Sequence, residues 1–134
     1  MPQLIEHIDA IARQVGRTVL FVTFHQDLRE RLDWAKLDVR QDIINWLGTN
    51  GIGWRECGHV GSTTFFGGYL GQLYIDVPYD ENNRTYQKLR DFLEKPDGSS
   101  ALPGAQFCYY PLEEAMKNAH HDAPGFWHQV WEDF

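Results

Sequence analysis

The clearest alternation of apolar and polar side chains lies between residues 70 and 77. Leu73, Ile75 and Val77 alternate with Tyr74 and Asp76, and a period of two is typical of a β-strand. We expect the three apolar side chains to face a core. Tyr74 and Asp76 should therefore lie on the opposite side of the sheet.

The remaining pattern predicts helices and strands on both sides of this strand. Apolar residues at three- and four-residue spacing indicate helices, and short runs of β-branched and aromatic residues indicate strands. Asp38 is expected to cap one helix, Asp80 or Asn82 to begin another, and Pro111 to open the last. Predicted helices cover residues 3–15, 38–49, about 82–95 and 111–119, and predicted strands cover 19–24, 53–60, 70–77 and 105–110.

The order of these elements predicts an α+β fold. Between residues 17 and 110 it runs strand, helix, strand, strand, helix, strand, which resembles the ferredoxin-like βαββαβ sandwich. That resemblance implies a four-stranded antiparallel sheet with helices on one face and the first and third strands side by side in the middle. An N-terminal helix (3–15) and a C-terminal helical extension (111–134) are additions to this core. We expect one domain over residues 1–134, and no function follows from such a common fold.

Composition and charge narrow the class of partner. The chain has 134 residues, of which 43% are hydrophobic and 14% aromatic, and a formal net charge of -7. Direct binding to nucleic acid or to an anionic membrane is disfavoured, because both need a positive surface, whereas a basic protein partner suits the charge. We expect a cytoplasmic protein, since neither a signal peptide nor a long apolar segment is visible. Cys57 and Cys108 should be reduced thiols in strands.

Catalytic and metal-binding candidates are scattered rather than arranged in a motif. No two of the six histidines have the spacing that puts two imidazoles on one helix face. His25 and His121, with Asp122, are weak candidates for a metal site, but we expect no metal and no cofactor. Asp76, with His25 and Asp27 or with His121, outlines a general-base site. The alternative is a solvated Asp76 and histidines that only cap helix ends.

Aromatic residues suggest two kinds of surface. The glycine-rich stretch 58–68 lacks the lysine of a phosphate-binding loop, and Phe65 and Phe66 at its tip are candidates for contact with a partner. Tyr74 and the tyrosines of the last strand could form a face that stacks RNA bases. The acidic charge argues against that role, and tyrosines that pack beneath a terminal helix are the alternative.

The sequence favours binding over catalysis. We interpret the chain as an acidic protein-binding module that acts as an inhibitor, immunity or accessory factor of bacterial, phage or mobile-element type, for example anti-CRISPR-like. A small metal-dependent or small-molecule-processing enzyme with a site near Asp76, His25 and His121 is the alternative. An exposed edge strand would also suit a homodimer. The residues expected to contact a partner are Asp27, Glu30, Asp33, Phe65, Phe66, Glu81 and Asp91.

Overall fold

A computed structural model describes residues 6–24, 37–58, 60, 71–127 and 129. Four α-helices and four β-strands lie in this part of the chain. The helices are α1 (Ile8–Val15), α2 (Asp38–Thr49), α3 (Arg84–Leu93) and α4 (Leu112–Met116), and the strands are β1 (Val19–Phe24), β2 (Trp54–Glu56), β3 (Leu73–Ile75) and β4 (Ala105–Tyr110), with a short 3-10 turn at Ala119–Asp122.

The four strands form one antiparallel sheet in the order β2-β3-β1-β4. Leu20 of β1 lies opposite Ile75 of β3 on one side and opposite Tyr109 of β4 on the other. The two central strands are the most apolar, as expected for strands that are covered on both faces. The molecule therefore belongs to the α+β class, with β1 and β3 side by side in its centre.

Helices α2 and α3 cover one face of the sheet. Ile43 and Leu47 of α2 and Leu89 of α3 are fully buried against Leu73 and Ile75 of β3. Outside this core, Trp46 stacks on Phe92 with ring centroids 4.4 Å apart, which links the two helices directly. Truncating one of the buried leucines or isoleucines to alanine typically costs about 2–5 kcal/mol.

Helices α1 and α4 cover the opposite face. Ile8, Ile11 and Ala12 of α1 pack with Tyr74 of β3 and Ala115 of α4 in a second buried cluster. The alternation at residues 73–77 is confirmed, because Leu73, Ile75 and Val77 belong to the first cluster and Tyr74 to the second. Both terminal helices therefore pack on the sheet.

Several predicted boundaries were wrong at the ends of elements. Helix α1 begins at Ile8 rather than at residue 3, because residues 6 and 7 pair with Gly58 and do not join the helix. The Glu6 carbonyl accepts a hydrogen bond from the Gly58 amide at 2.8 Å, and His7 forms a parallel bridge with Gly58. Strands β2 and β3 contain three residues each, which is shorter than predicted. Gly53 directly precedes β2 and Gly71 stands two residues before β3, and glycine weakens a strand.

Within the described ranges, no helix is both long and apolar enough to cross a lipid bilayer.

Candidate functional site

A cluster of polar side chains lies between α1 and the C-terminal segment. It consists of Asp9, Arg13, Asn118, His121 and Asp122, and we call it the Asp9 cluster. Asp9 of α1 has a charged side chain and is nevertheless fully buried. Its Oδ2 accepts hydrogen bonds from Arg13 Nη1 at 3.0 Å and from Asn118 Nδ2 at 3.1 Å. A buried carboxylate needs such partners, because an unpaired one would be strongly destabilising.

Arg13 joins three parts of the chain through one guanidinium group. Besides Asp9, it donates to the Ala115 carbonyl at 2.9 Å and to both carboxylate oxygens of Asp122 at 2.7 and 2.8 Å. Its hydrogen bonds hold the pKa of Asp122 below the usual range, and those with Asp122 and Asp9 raise its own pKa against the effect of burial. The bidentate pair therefore fixes the 3-10 turn onto α1.

His121 is the titratable group of this cluster with an unsatisfied atom. The residue is 6% exposed, and its Nδ1 has no hydrogen-bond partner among the residues that the structure describes. The nearest acidic atom is Asp9 Oδ2 at 3.9 Å, which is too long for a hydrogen bond. Burial and the neighbouring His120 lower the pKa of His121, against the attraction of Asp9. The imidazole also contacts the rings of Phe126 and Trp127, with centroids 4.7 and 4.8 Å away.

Asp76 belongs to a different cluster from His121. Its side chain is 58% exposed, and its Oδ1 accepts hydrogen bonds from Arg17 Nη2 at 2.7 Å and from the Tyr74 hydroxyl at 3.0 Å. Burial, and then the hydrogen bond to Asp76, raise the pKa of Tyr74.

Tyr74 packs under α1, as in the predicted alternative of tyrosines beneath a terminal helix. Its ring therefore offers no open face on which an RNA base could stack.

The strand register separates Asp76 from the end of β1 that leads to His25. Asp76 follows β3 and lies beside the beginning of β1, since Ile75 pairs with Leu20. His25 follows Phe24, at the other end of β1. His25 and Asp27 lie outside the described residues, so a site that combines them with Asp76 stays a prediction.

The described residues contain no group of three or more histidine, cysteine, aspartate or glutamate side chains that could hold a metal ion.

Both cysteines are free thiols. Cys57 is fully buried, and burial raises its pKa to about 12. Burial also raises the pKa of Cys108, which is partly exposed. A thiol with a raised pKa is a poor nucleophile at neutral pH.

Two exposed tyrosines and one buried tyrosine form an aromatic group that the sequence did not reveal. Tyr79 and Tyr109 are 43% and 55% exposed, and their ring centroids are 4.9 Å apart. Tyr86 is buried, with its ring centroid 5.5 Å from that of Tyr79, and Arg90 lies over the Tyr86 ring at 5.7 Å. We call Tyr79, Tyr86 and Tyr109 the tyrosine surface. They come from a loop, a helix and a strand, so no sequence spacing connects them.

Two glutamates act electrostatically on the buried member of the tyrosine surface. The pKa of Tyr86 is raised by burial first, and then by Tyr79, Glu94 and Glu81. Of the predicted partner-binding residues, Glu81 therefore acts electrostatically on Tyr86. Asp91 is exposed and pairs with Arg90 at 3.6 Å. The other predicted contacts lie outside the described residues: Asp27, Glu30, Asp33, Phe65 and Phe66.

No protein-family model, no curated protein and no solved structure matches this chain.

Proposed function

We propose that the protein is a cytoplasmic binding module that acts on another protein, as an inhibitor, immunity or accessory factor. The observation that carries this proposal is the tyrosine surface. Tyr79 and Tyr109 contact each other while about half of each side chain remains open to solvent. Large aromatic side chains fixed in this way are the residue types that dominate the binding energy of protein interfaces.

The rigidity of the surface supports a role in recognition. Tyr109 is on a strand of the sheet and Tyr86 is on α3, so both backbones are held by regular structure. A tyrosine with few rotatable bonds loses little entropy on binding and offers both an apolar ring and a hydroxyl group. Tyr109, the most exposed of the three, can therefore contact a partner from a strand that is already ordered.

The charges indicate a basic partner. Glu81 and Glu94 are close enough to raise the pKa of Tyr86, and the whole chain has a net charge of -7. A complementary positive partner would associate faster and would be selected over acidic competitors. Arg90, which lies over Tyr86, contributes one positive charge at the same place and would contact an acidic or carbonyl group of the partner.

The alternative of a small enzyme receives less support from the described residues. Asp76 is occupied by Arg17 and Tyr74, and Asp122 is occupied by Arg13. Both carboxylates are therefore engaged in ion pairs with arginine. His121 is beside the Asp9 carboxylate, but the rings of Phe126 and Trp127 pack against its imidazole. An enzyme site would therefore depend on His25 and Asp27.

For the fold, we infer the ferredoxin-like arrangement. The central position of β1 and β3 supports it, as does the packing of α2 and α3 on one face of the sheet. Helices α1 and α4 would then be additions that close the second face.

The proposal can be tested by exchanging exposed apolar residues on two different surfaces. We expect Tyr79→Ala with Tyr109→Ala to weaken binding to a partner isolated from the host lysate by at least about 30-fold, as for hot-spot residues worth about 2 kcal/mol. The matched control is Val15→Ala with Met116→Ala, which removes comparably exposed apolar side chains near α1 and α4. Titration calorimetry at low and high salt measures both. Equal affinity for the tyrosine variant and the wild type would contradict the proposal.

A further inference from the structure

The two edges of the sheet differ in how well they are protected against pairing. At one edge, β2 has three residues, two of them charged (Arg55 and Glu56), and is followed by the bridge from Gly58 to His7. At the other edge, β4 has six residues, Ala-Gln-Phe-Cys-Tyr-Tyr, with neither a charge nor a proline nor a glycine. In the described part of the chain, β4 pairs with β1 alone. Exposed edges normally carry protective features such as those of β2.

The hydrogen bonds of Ala105 show which groups of β4 face outward. Its amide donates to the Leu102 carbonyl at 3.2 Å, and its carbonyl accepts from the Ser100 hydroxyl at 2.6 Å. Both groups therefore point away from β1. Because the direction alternates along an antiparallel strand, the amides and carbonyls of Phe107 and Tyr109 also point outward.

The rest of the sheet has the same alternation. If the even-numbered residues of β4 bond to β1, the register requires Gln72 and Asp76, next to β3, to bond toward β2. They do so: the Asp76 amide donates to the Gly53 carbonyl at 2.9 Å, and the Gln72 carbonyl accepts from the Cys57 amide at 3.2 Å. The outward direction of Phe107 and Tyr109 thus agrees with hydrogen bonds on the far side of the sheet.

We propose that two copies of this chain associate through antiparallel pairing of β4 with β4, about a two-fold axis at Cys108. In this register Phe107 lies opposite Tyr109 of the partner subunit, and their amides and carbonyls form four hydrogen bonds across the axis. An axis at Phe107 would instead oppose Tyr109 to Ala105, whose groups are already bonded. Pro111, which has no amide hydrogen, ends the free edge on the other side.

The side chains suit this register. Phe107 and Tyr109 form an aromatic cross-strand pair on each side of the axis, a type of pair that stabilises sheets. Cys108 lies opposite Cys108 of the partner subunit in a non-hydrogen-bonded pair, where α-carbons are about 4.5 Å apart. The two-fold axis is perpendicular to the sheet, so both tyrosine surfaces lie on the same side of one eight-stranded sheet. This inference goes beyond the proposed function and does not depend on it.

The first experiment measures molar mass by light scattering and sedimentation on the purified protein, without any partner. We expect the mass of two chains for the wild type. Cys108→Lys and Cys108→Glu should each give one chain, because two like charges would be directly opposite each other. An equimolar mixture should restore the dimer as a heterodimer, which also shows that both variants are folded. A monomeric wild type at its highest soluble concentration would overturn the proposal, and so would variants that dimerise by themselves.

The second experiment tests the register with oxidised glutathione at mildly alkaline pH. The two Cys108 thiols should form an intermolecular disulfide, while two electrons and two protons pass to glutathione and yield two reduced molecules. The expected spacing lies within the range for a disulfide. Cys57 is the internal control, since it is fully buried with a pKa of about 12, and Cys57→Ser should crosslink like the wild type. A wild-type dimer that forms no Cys108 crosslink would overturn the register.

Discussion

At the scale of single residues, the most consequential side chain is Arg13. It is four residues after Asp9 on α1 and contacts Asp122, which is 109 residues away in sequence. The three- and four-residue spacing of apolar residues in α1 agrees with the burial of Ile8, Ile11 and Ala12, but Val15, which has the same spacing, is 39% exposed. The spacing did not predict that Asp9 is buried too, because the reason lies in side chains of a distant segment. Local periodicity contains no information on such partners.

We expect Arg13→Met to destabilise the protein by about 3–5 kcal/mol, because it leaves the buried carboxylate of Asp9 without its positive partner. The Arg13 side chain is 5% exposed and that of Asp9 is fully buried. Arg17→Met is the matched control. Its ion pair with Asp76 is at the surface, with side chains 37% and 58% exposed, so its loss should cost no more than about 1 kcal/mol. Urea unfolding of both variants measures the difference. Similar losses of unfolding free energy would show that the buried ion pair of the Asp9 cluster stabilises the fold no more than the surface pair does.

At the scale of elements, the sequence predicted continuous apolar strands better than interrupted ones. The limits of β1 and β4 are as predicted, since each is a run without glycine. Helix α3 was placed too early, because three candidate caps stand close together. Asp80 instead forms a turn, in which its carboxylate accepts from the Asn82 amide at 2.9 Å and its carbonyl accepts from the Asn83 amide at 2.9 Å. The helix then begins after Asn83. Propensity alone does not separate neighbouring residues that all suit a cap.

Asn83 caps α3 through its side-chain oxygen, which accepts from the Tyr86 amide at 3.0 Å. We expect Asn83→Ala to lower the free energy of unfolding by about 1 kcal/mol. Asn82→Ala is the control, because the Asn82 contact to Asp80 uses the backbone amide, which alanine keeps. Thermal unfolding followed by circular dichroism compares the two variants. A loss for Asn82→Ala as large as that for Asn83→Ala would place the cap at the predicted position after all.

At the scale of the whole molecule, the sequence predicted the α+β class, the four strands and the central place of β1 and β3. These properties follow from the order and apolarity of elements, which are local features. The tyrosine surface and the Asp9 cluster were missed because each joins residues from separate elements. Tyr79 follows β3 and Tyr109 is on β4, so the two rings come together only in the folded sheet. His121 and Asp122, the candidate metal ligands of the sequence, both belong to the Asp9 cluster, in which Asp122 binds Arg13.

The docking of the C-terminal segment on α1 predicts how stability depends on pH. His121 faces Asp9 and Arg13 of α1, with His7 and His120 nearby, and its pKa lies below 6.5. The unfolded chain then takes up a proton near pH 6.5 before the folded chain does, so stability falls as the pH drops from 6.5 toward the folded pKa. The slope from this one group cannot exceed about 1.4 kcal/mol per pH unit. We expect His121→Gln to remove that slope in urea unfolding at a series of pH values. His120→Gln, at an exposed position, should keep most of it, because burial, the larger cause of the lowered pKa of His121, is unchanged while the smaller effect of His120 is lost. A slope unchanged in His121→Gln would contradict a buried, neutral His121.

A separate loss of stability should follow at lower pH in both variants, below the ordinary pKa of 3.8, as protonation of Asp122 breaks its bond to Arg13.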